Sequence, residues 1–157
     1  MVKKSVGGIL FAFGILTSTL APAILEAAPV GAALGLRAGL SQNPGQFVIG
    51  AQAEVGQLGM ATIAPSVDLG FGDGSDLTAA NLDLRWYLFP LPQTGIHFYA
   101  AAGPTAVFVS SQSDIGLSLI AGAKIPMKGT GRYNVEARFG IGDIPDLKIM
   151  LGVLFGL

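Results

Sequence analysis

From residue 32 onward, apolar and polar positions alternate with a period of two, the repeat of an extended strand, not the 3.6-residue repeat of a helix. In residues 32–41, Leu34, Leu36, Ala38 and Leu40 fall on one face and Gly35, Arg37 and Gly39 on the other, before the turn signal Asn43-Pro44-Gly45. Residues 47–57 set Ile49, Ala51, Ala53 and Val55 against Gly50, Gln52, Glu54 and Gly56. Residues 62–71 set Ile63, Val67, Leu69 and Phe71 against Ala64, Ser66, Asp68 and Gly70, and a loop at 72–76 follows. The clearest copy is 78–89, where Leu82, Leu84, Trp86 and Leu88 alternate with Asn81, Asp83, Arg85 and Tyr87.

Residues 96–108 alternate least cleanly, because Ala100, Ala101 and Ala102 carry little facial signal. The segment 115–125 places Leu117, Leu119, Ala121, Ala123 and Ile125 opposite Ser118, Gly122 and Lys124. In 133–142, Tyr133, Val135, Ala137, Phe139 and Ile141 oppose Asn134, Glu136, Arg138 and Gly140. In 148–157, Ile149, Leu151, Val153, Phe155 and Leu157 oppose Lys148, Gly152 and Gly156. Short connections rich in Gly, Pro and Asp join successive copies, which predicts an antiparallel meander of eight strands. Pro65 and Pro104 fall inside strands, where each removes a ladder donor, so they mark bulges, strand ends or a shifted register.

The distribution of charge decides which face points outward. Arg37, Glu54, Asp68, Asp83, Arg85, Lys124, Glu136, Arg138 and Lys148 all lie on the polar face, otherwise filled with glycine, alanine and serine, and the opposite face carries no charge. Only 12% of the chain is charged, with 51% apolar residues and 23 glycines. A soluble domain carries about 25% charged residues. An eight-stranded barrel has an interior just wide enough for side chains. Small residues there leave room for a few long charged ones, which must meet as opposite pairs. The apolar face then meets hydrocarbon, where only a closed sheet satisfies its backbone. The expected fold is an all-β, eight-stranded antiparallel up-and-down transmembrane β-barrel. A soluble ligand-binding barrel, with the apolar face turned in around a greasy cavity, is the main alternative.

The first residues read differently. Lys3 and Lys4 precede a largely apolar stretch at 6–25, and Leu25-Glu26-Ala27 offers a small-residue cleavage site, with Ala21-Pro22-Ala23 as an earlier one. Residues 1–27 are expected to be a signal peptide and 28–157 the barrel domain; a retained membrane helix is the competing reading. A net charge of −1 and the absence of any basic stripe give no sign of nucleic-acid binding, and the absence of cysteine removes disulfides and thiolate sites.

The segments Asn81-Leu82-Asp83-Leu84-Arg85-Trp86-Tyr87-Leu88-Phe89 and Val135-Glu136-Ala137-Arg138-Phe139-Gly140, with the terminal strand, resemble the small outer-membrane β-barrel families, the group that includes the transmembrane domain of outer membrane protein A. The resemblance spans Gly35 to Leu157 at the level of pattern. It implies the outer membrane of a Gram-negative-type bacterium, with both termini in the periplasm. The implied partners are outer-membrane lipid, periplasmic chaperones and the barrel assembly machinery. In such proteins that machinery reads the last strand, usually through a terminal aromatic. Here Phe155 has the right parity, but Leu157 stands last. The segments near 42–46, 72–76, 109–114 and 143–146 would then be extracellular. They carry Asp73, Asp76, Asp114, Asp143 and Asp146, either a seat for divalent cations or ordinary turn aspartates.

Reactive chemistry is sparse. His97, the one histidine, sits beside Phe98 and Tyr99 and reads as an interfacial residue. Ser110, Ser111, Ser113 and Ser118 are nucleophile candidates by residue type alone. Asp68, Asp83 and Glu136 are more plainly neutralised by the cations on their own face than paired for acid–base work. Gly70-Phe71-Gly72-Asp73-Gly74 lacks the lysine and helix of a phosphate cradle. Trp86, Tyr87, Phe89, Phe98, Tyr99 and Tyr133 read as girdle and strand aromatics. No catalytic residue, metal site or cofactor is expected. The function expected is that of a structural or surface-interaction barrel; a narrow passive channel and a soluble periplasmic ligand-binding barrel are the alternatives.

Overall fold

The computed structural model describes residues 31–72 and 76–157. The expected signal segment at 1–27 and the loop acid Asp73 lie outside the described residues. The strands are β1 (Ala33–Gln42), β2 (Gln46–Glu54), β3 (Gly56–Leu58), β4 (Ala61–Gly72), β5 (Leu77–Pro90), β6 (His97–Val109), β7 (Gln112–Pro126), β8 (Gly131–Ile141) and β9 (Leu147–Gly156). Each pairs antiparallel with its neighbours, and β2 and β3 run end to end along β4, so together they form one stave of an eight-staved wall. Pairing of β1 with β9, from Ala33↔Gly156 to Gln42↔Leu147, closes the wall into a barrel. Closure leaves no unpaired sheet edge.

The two awkward prolines sit where the ladder is interrupted. Pairing of β4 with its neighbour stops at Gln52↔Ser66 and resumes at Gly56↔Ile63, and Pro65 lies in that gap. Pairing of β5 with β6 skips from Asn81↔Thr105 to Leu84↔Ala102, across Pro104. Each proline keeps a continuous register on its other side, with Leu82 and Leu117 respectively. A residue without an N–H is tolerated where one ladder already lapses.

The connections are short. The loop expected near 109–114 is only a two-residue turn, Ser110-Ser111, closed by the pair Val109↔Gln112. Ser110 takes the left-handed φ of 53° that so tight a hairpin requires, and Ser113 and Asp114 therefore lie within β7. Turns at 43–45, 110–111 and 142–146 gather with the end of β4 and the start of β5 at one end, called here the loop end. Turns at 59–60, 91–96 and 127–130 gather with the first and last strand residues at the other, the terminal end.

The wall is apolar outside and polar inside. Leu36, Leu40, Ile115 and Leu151 are 60% exposed or more, whereas Asp68 and Asp83 are fully buried. A soluble ligand-binding barrel requires the reverse orientation. Burial here comes from the narrow lumen, and the exposed leucines form a surface suited to hydrocarbon.

Candidate functional site

The site is the lumen, and alternation along each strand builds it. All nine charged strand residues singled out above turn inward and are buried. Small residues beside them make this possible. A Cβ on Gly50 would collide with the Asp68 carboxylate, and one on Gly122 would collide with the Tyr99 ring.

Glu136 is the hub. Its carboxylate meets Arg37 at 2.7 Å and Arg85 and Arg138 at 3.5 Å, and accepts hydrogen bonds from the Tyr99 hydroxyl at 2.9 Å and Asn134 Nδ2 at 3.2 Å. Towards the loop end, Arg37 also grips Asp68 at 2.7 Å and donates to Ser66 Oγ at 2.8 Å, while Lys148 reaches Asp68 at 3.5 Å. Arg138 holds Asp83 in a bidentate pair at 3.1 and 2.6 Å, the planar fork geometry that makes guanidinium–carboxylate pairs strong. Towards the terminal end, Glu54 accepts from Arg85 at 3.2 Å, from the Tyr87 hydroxyl at 2.7 Å and from Lys124. Arg85 also lies over the Tyr99 ring, 5.2 Å from its centroid, and Lys124 over that of Tyr87.

Every buried carboxylate thus has at least one cation, and Glu136 has three. Removing one partner from such a network leaves an uncompensated charge in a low dielectric, at several kcal/mol. Neutral polar groups complete it: Asn81 donates to Asp68 and Ser66, and Thr105 bonds Asn81 and Ser118.

The structure departs from the sequence reading at three places. Tyr99 is not a girdle aromatic: it is 1% exposed and turns its hydroxyl into the lumen. Tyr87 likewise directs its hydroxyl to Glu54, in keeping with its place on the polar side of β5. The alternation of Tyr99 with Phe98, continued by Ala101, Gly103 and Thr105, was the available signal, blurred by the alanines. The lumen is also less uniformly polar than expected, since Val48, Ile120, Met150 and Leu154 are buried along it.

The third departure is Ile144. The segment at 143–146 reads as an acidic turn, yet Ile144 is buried against Leu77, Ala79 and Val107 at the loop end. It packs over Gly116 and Gly140, where a Cβ would strike it. Two bonds hold this turn over the mouth: the Gly140 N–H donates to the Asp146 carbonyl at 2.9 Å, and Asn43 Nδ2 donates to the Asp146 carboxylate at 2.7 Å. An isoleucine between Asp143 and Pro145 was the only hint in the sequence.

The remaining candidates are not brought together. His97 Nδ1 lies 2.9 Å from the Gly95 carbonyl at the terminal end, whereas Ser110 and Ser111 sit beyond the opposite end of β6. Ser118 is fully buried and bonded to Thr105. Asp76, Asp114, Asp143 and Asp146 are exposed at the loop end. Among the described residues, no three His, Cys, Asp or Glu side chains are placed to hold a metal ion. Phe155 faces outward near the end of β9, and the Leu157 N–H donates to the Ala32 carbonyl at 2.9 Å.

No protein-family model matches the chain, and no curated protein sequence does. Solved structures do share its fold. The N-terminal β-barrel domain of Pseudomonas aeruginosa OprF superposes with a TM-score of 0.65 at 15% identity, covering 82% of this chain and 98% of that one. Neisserial surface protein A (NspA) superposes at 0.61 with 13% identity, over 80% of this chain and 94% of its own. A de novo designed transmembrane β-barrel superposes at 0.59 with 11% identity, over 82% and 97%. At these identities the likeness is one of fold: the small, closed, eight-stranded transmembrane barrel.

Proposed function

We propose that this chain is a structural barrel of a bacterial outer membrane, a non-conducting and non-catalytic wall whose contacts are made by its outer surface and short turns. The observation that carries the reading is the filled lumen. Nine charged side chains interlock across it around Glu136, and Ile144 caps the loop-end mouth. A conducting channel needs a continuous polar path, and at the loop end the apolar cluster of Leu77, Ala79, Val107 and Ile144 is buried along the β5–β8 side of the lumen. A catalytic role needs a nucleophile, base and orienting group within reach. Here the histidine and the turn serines lie at opposite ends.

Outer-membrane placement is supported by the exposed apolar belt and by the likeness of fold to bacterial outer-membrane barrels. Export through residues 1–27, escort by periplasmic chaperones and insertion by the barrel assembly machinery belong to the same reading. The outward Phe155 of β9, with Leu157 after it, is the proposed assembly signal.

The deciding experiment is reconstitution of the purified protein in detergent and planar bilayers. Expected are a β-rich circular dichroism spectrum, gel mobility that changes on boiling, and no conductance steps above the lipid background. Helical or unfolded spectra under barrel-folding conditions would reject the barrel, and discrete steps from a folded sample would establish the channel instead.

A further inference from the structure

The two rims of the barrel differ in chemistry. Near the loop end, the outward belt of aromatics is Phe47, Phe71, Phe108 and Phe139, all hydrocarbon rings. The exposed charges beyond it, among the described residues, are Asp76, Asp114, Asp143 and Asp146, with no exposed cation. Near the terminal end the belt is Trp86, Phe98, Tyr133 and Phe155. Two of these rings carry a donor, the indole N–H and the phenol O–H. The exposed charged side chains there are Lys128 in the 127–130 turn and Arg132 at the start of β8, with no exposed Asp or Glu among the described residues. Leu58 and Met60 protrude from the same rim at the β3–β4 turn, four staves away, 63% and 91% exposed.

Amphipathic rings settle at headgroup depth, with the ring in the acyl region and the donor towards phosphate and glycerol oxygens. Cations near an anionic lipid surface are attracted to it, and carboxylates are repelled. Belt and charge therefore agree at each end. We propose that the terminal end is a binding surface for the phosphate headgroups of anionic phospholipid, engaged by Lys128 and Arg132 at the β7–β8 turn with Tyr133 beside them, and that the loop end is not. This deepens the membrane reading above and rests on it.

The test uses the full chain folded into phosphatidylcholine vesicles that contain phosphatidylglycerol. Tryptophan quenching by lipids brominated high on their acyl chains reports which lipid lies beside the ring. Trp86, the single tryptophan, is the first reporter. A Trp86→Phe background with Tyr133→Trp moves the reporter beside Arg132, and the same background with Phe139→Trp moves it to the loop end. Brominated phosphatidylglycerol should outcompete brominated phosphatidylcholine at position 133 by on the order of fivefold in relative association, about the effect of one well-placed cation. The preference should be smaller at Trp86, three strands away, and absent at position 139. Lys128→Glu with Arg132→Glu, or molar salt, should bring the ratio at position 133 to unity. A ratio of unity at position 133 in folded protein at low salt, or an equal preference at both rims, overturns the proposal and leaves the barrel reading standing. Absence of heat-modifiable folding in vesicles of either composition would overturn both.

Discussion

The two faces of each strand are built from one backbone and obey opposite rules. On the outer face a side chain needs only to be apolar: Leu36, Leu40 and Leu151 stand in open surface, and neighbouring hydrophobic residues are interchangeable in hydrocarbon. On the inner face each charged residue is tied to named partners on other strands. Arg37 of β1 reaches Asp68 of β4 and Glu136 of β8, and Lys124 of β7 reaches Glu54 of β2. The difference teaches where this fold keeps its specificity. The outside makes the molecule a membrane protein, whereas the inside decides which strand stands opposite which and at what height.

That contrast can be broken most severely by reversing a charge in the lumen. Arg138→Glu would face Asp83 and Glu136 with a third carboxylate and should abolish folding, seen as loss of the heat-modifiable band. Glu136→Gln keeps shape and removes the hub charge, leaving three guanidiniums short of an anion; urea titration in detergent should show a loss of about 3–5 kcal/mol. The outer face tolerates less polarity than its looseness suggests, and Leu151→Arg near the middle of β9 should cost about 2–4 kcal/mol in the same titration. Leu151→Val, by contrast, should be nearly silent. Ile144→Ala, which empties the loop-end cap, should cost about 2 kcal/mol, at the low end for a buried aliphatic because the turn can settle inward. Tyr99→Phe removes one hydroxyl from Glu136 and Asn134 and should cost about 1–2 kcal/mol.

Much of this was legible before any coordinates. Alternation placed each of the nine charged residues on the inner side, and turn chemistry located the connections to within a few residues. Face follows from parity, which a one-dimensional string carries in full. Height does not. That Arg138 meets Asp83 and that Lys148 meets Asp68 depends on the stagger between strands. Composition does not encode that stagger. Tyr99 was hidden because Ala100, Ala101 and Ala102 erase facial contrast just where it was needed. Ile144 was hidden because a turn residue's destination is set by what lies beneath it. The Gly116 and Gly140 hollow that receives it is made by two different strands. Pro65 and Pro104 read as conflicts because a sequence shows a missing donor without showing that the ladder on that side has already lapsed.

The seam between β1 and β9 has a consequence for how the molecule is made. Ala33 lies opposite Gly156, and the first and last described staves are neighbours like any other pair. A ring of staves has no privileged beginning, so the gene's order of reading is a matter of history as far as the finished wall is concerned. It matters only to assembly: every other pair of staves is joined by a short turn and meets its neighbour locally, whereas this one join brings together the two strands farthest apart in the chain. Rejoining the old ends through a short linker and cutting instead at Ser110-Ser111 would rebuild the same cylinder with its last stitch on the opposite side.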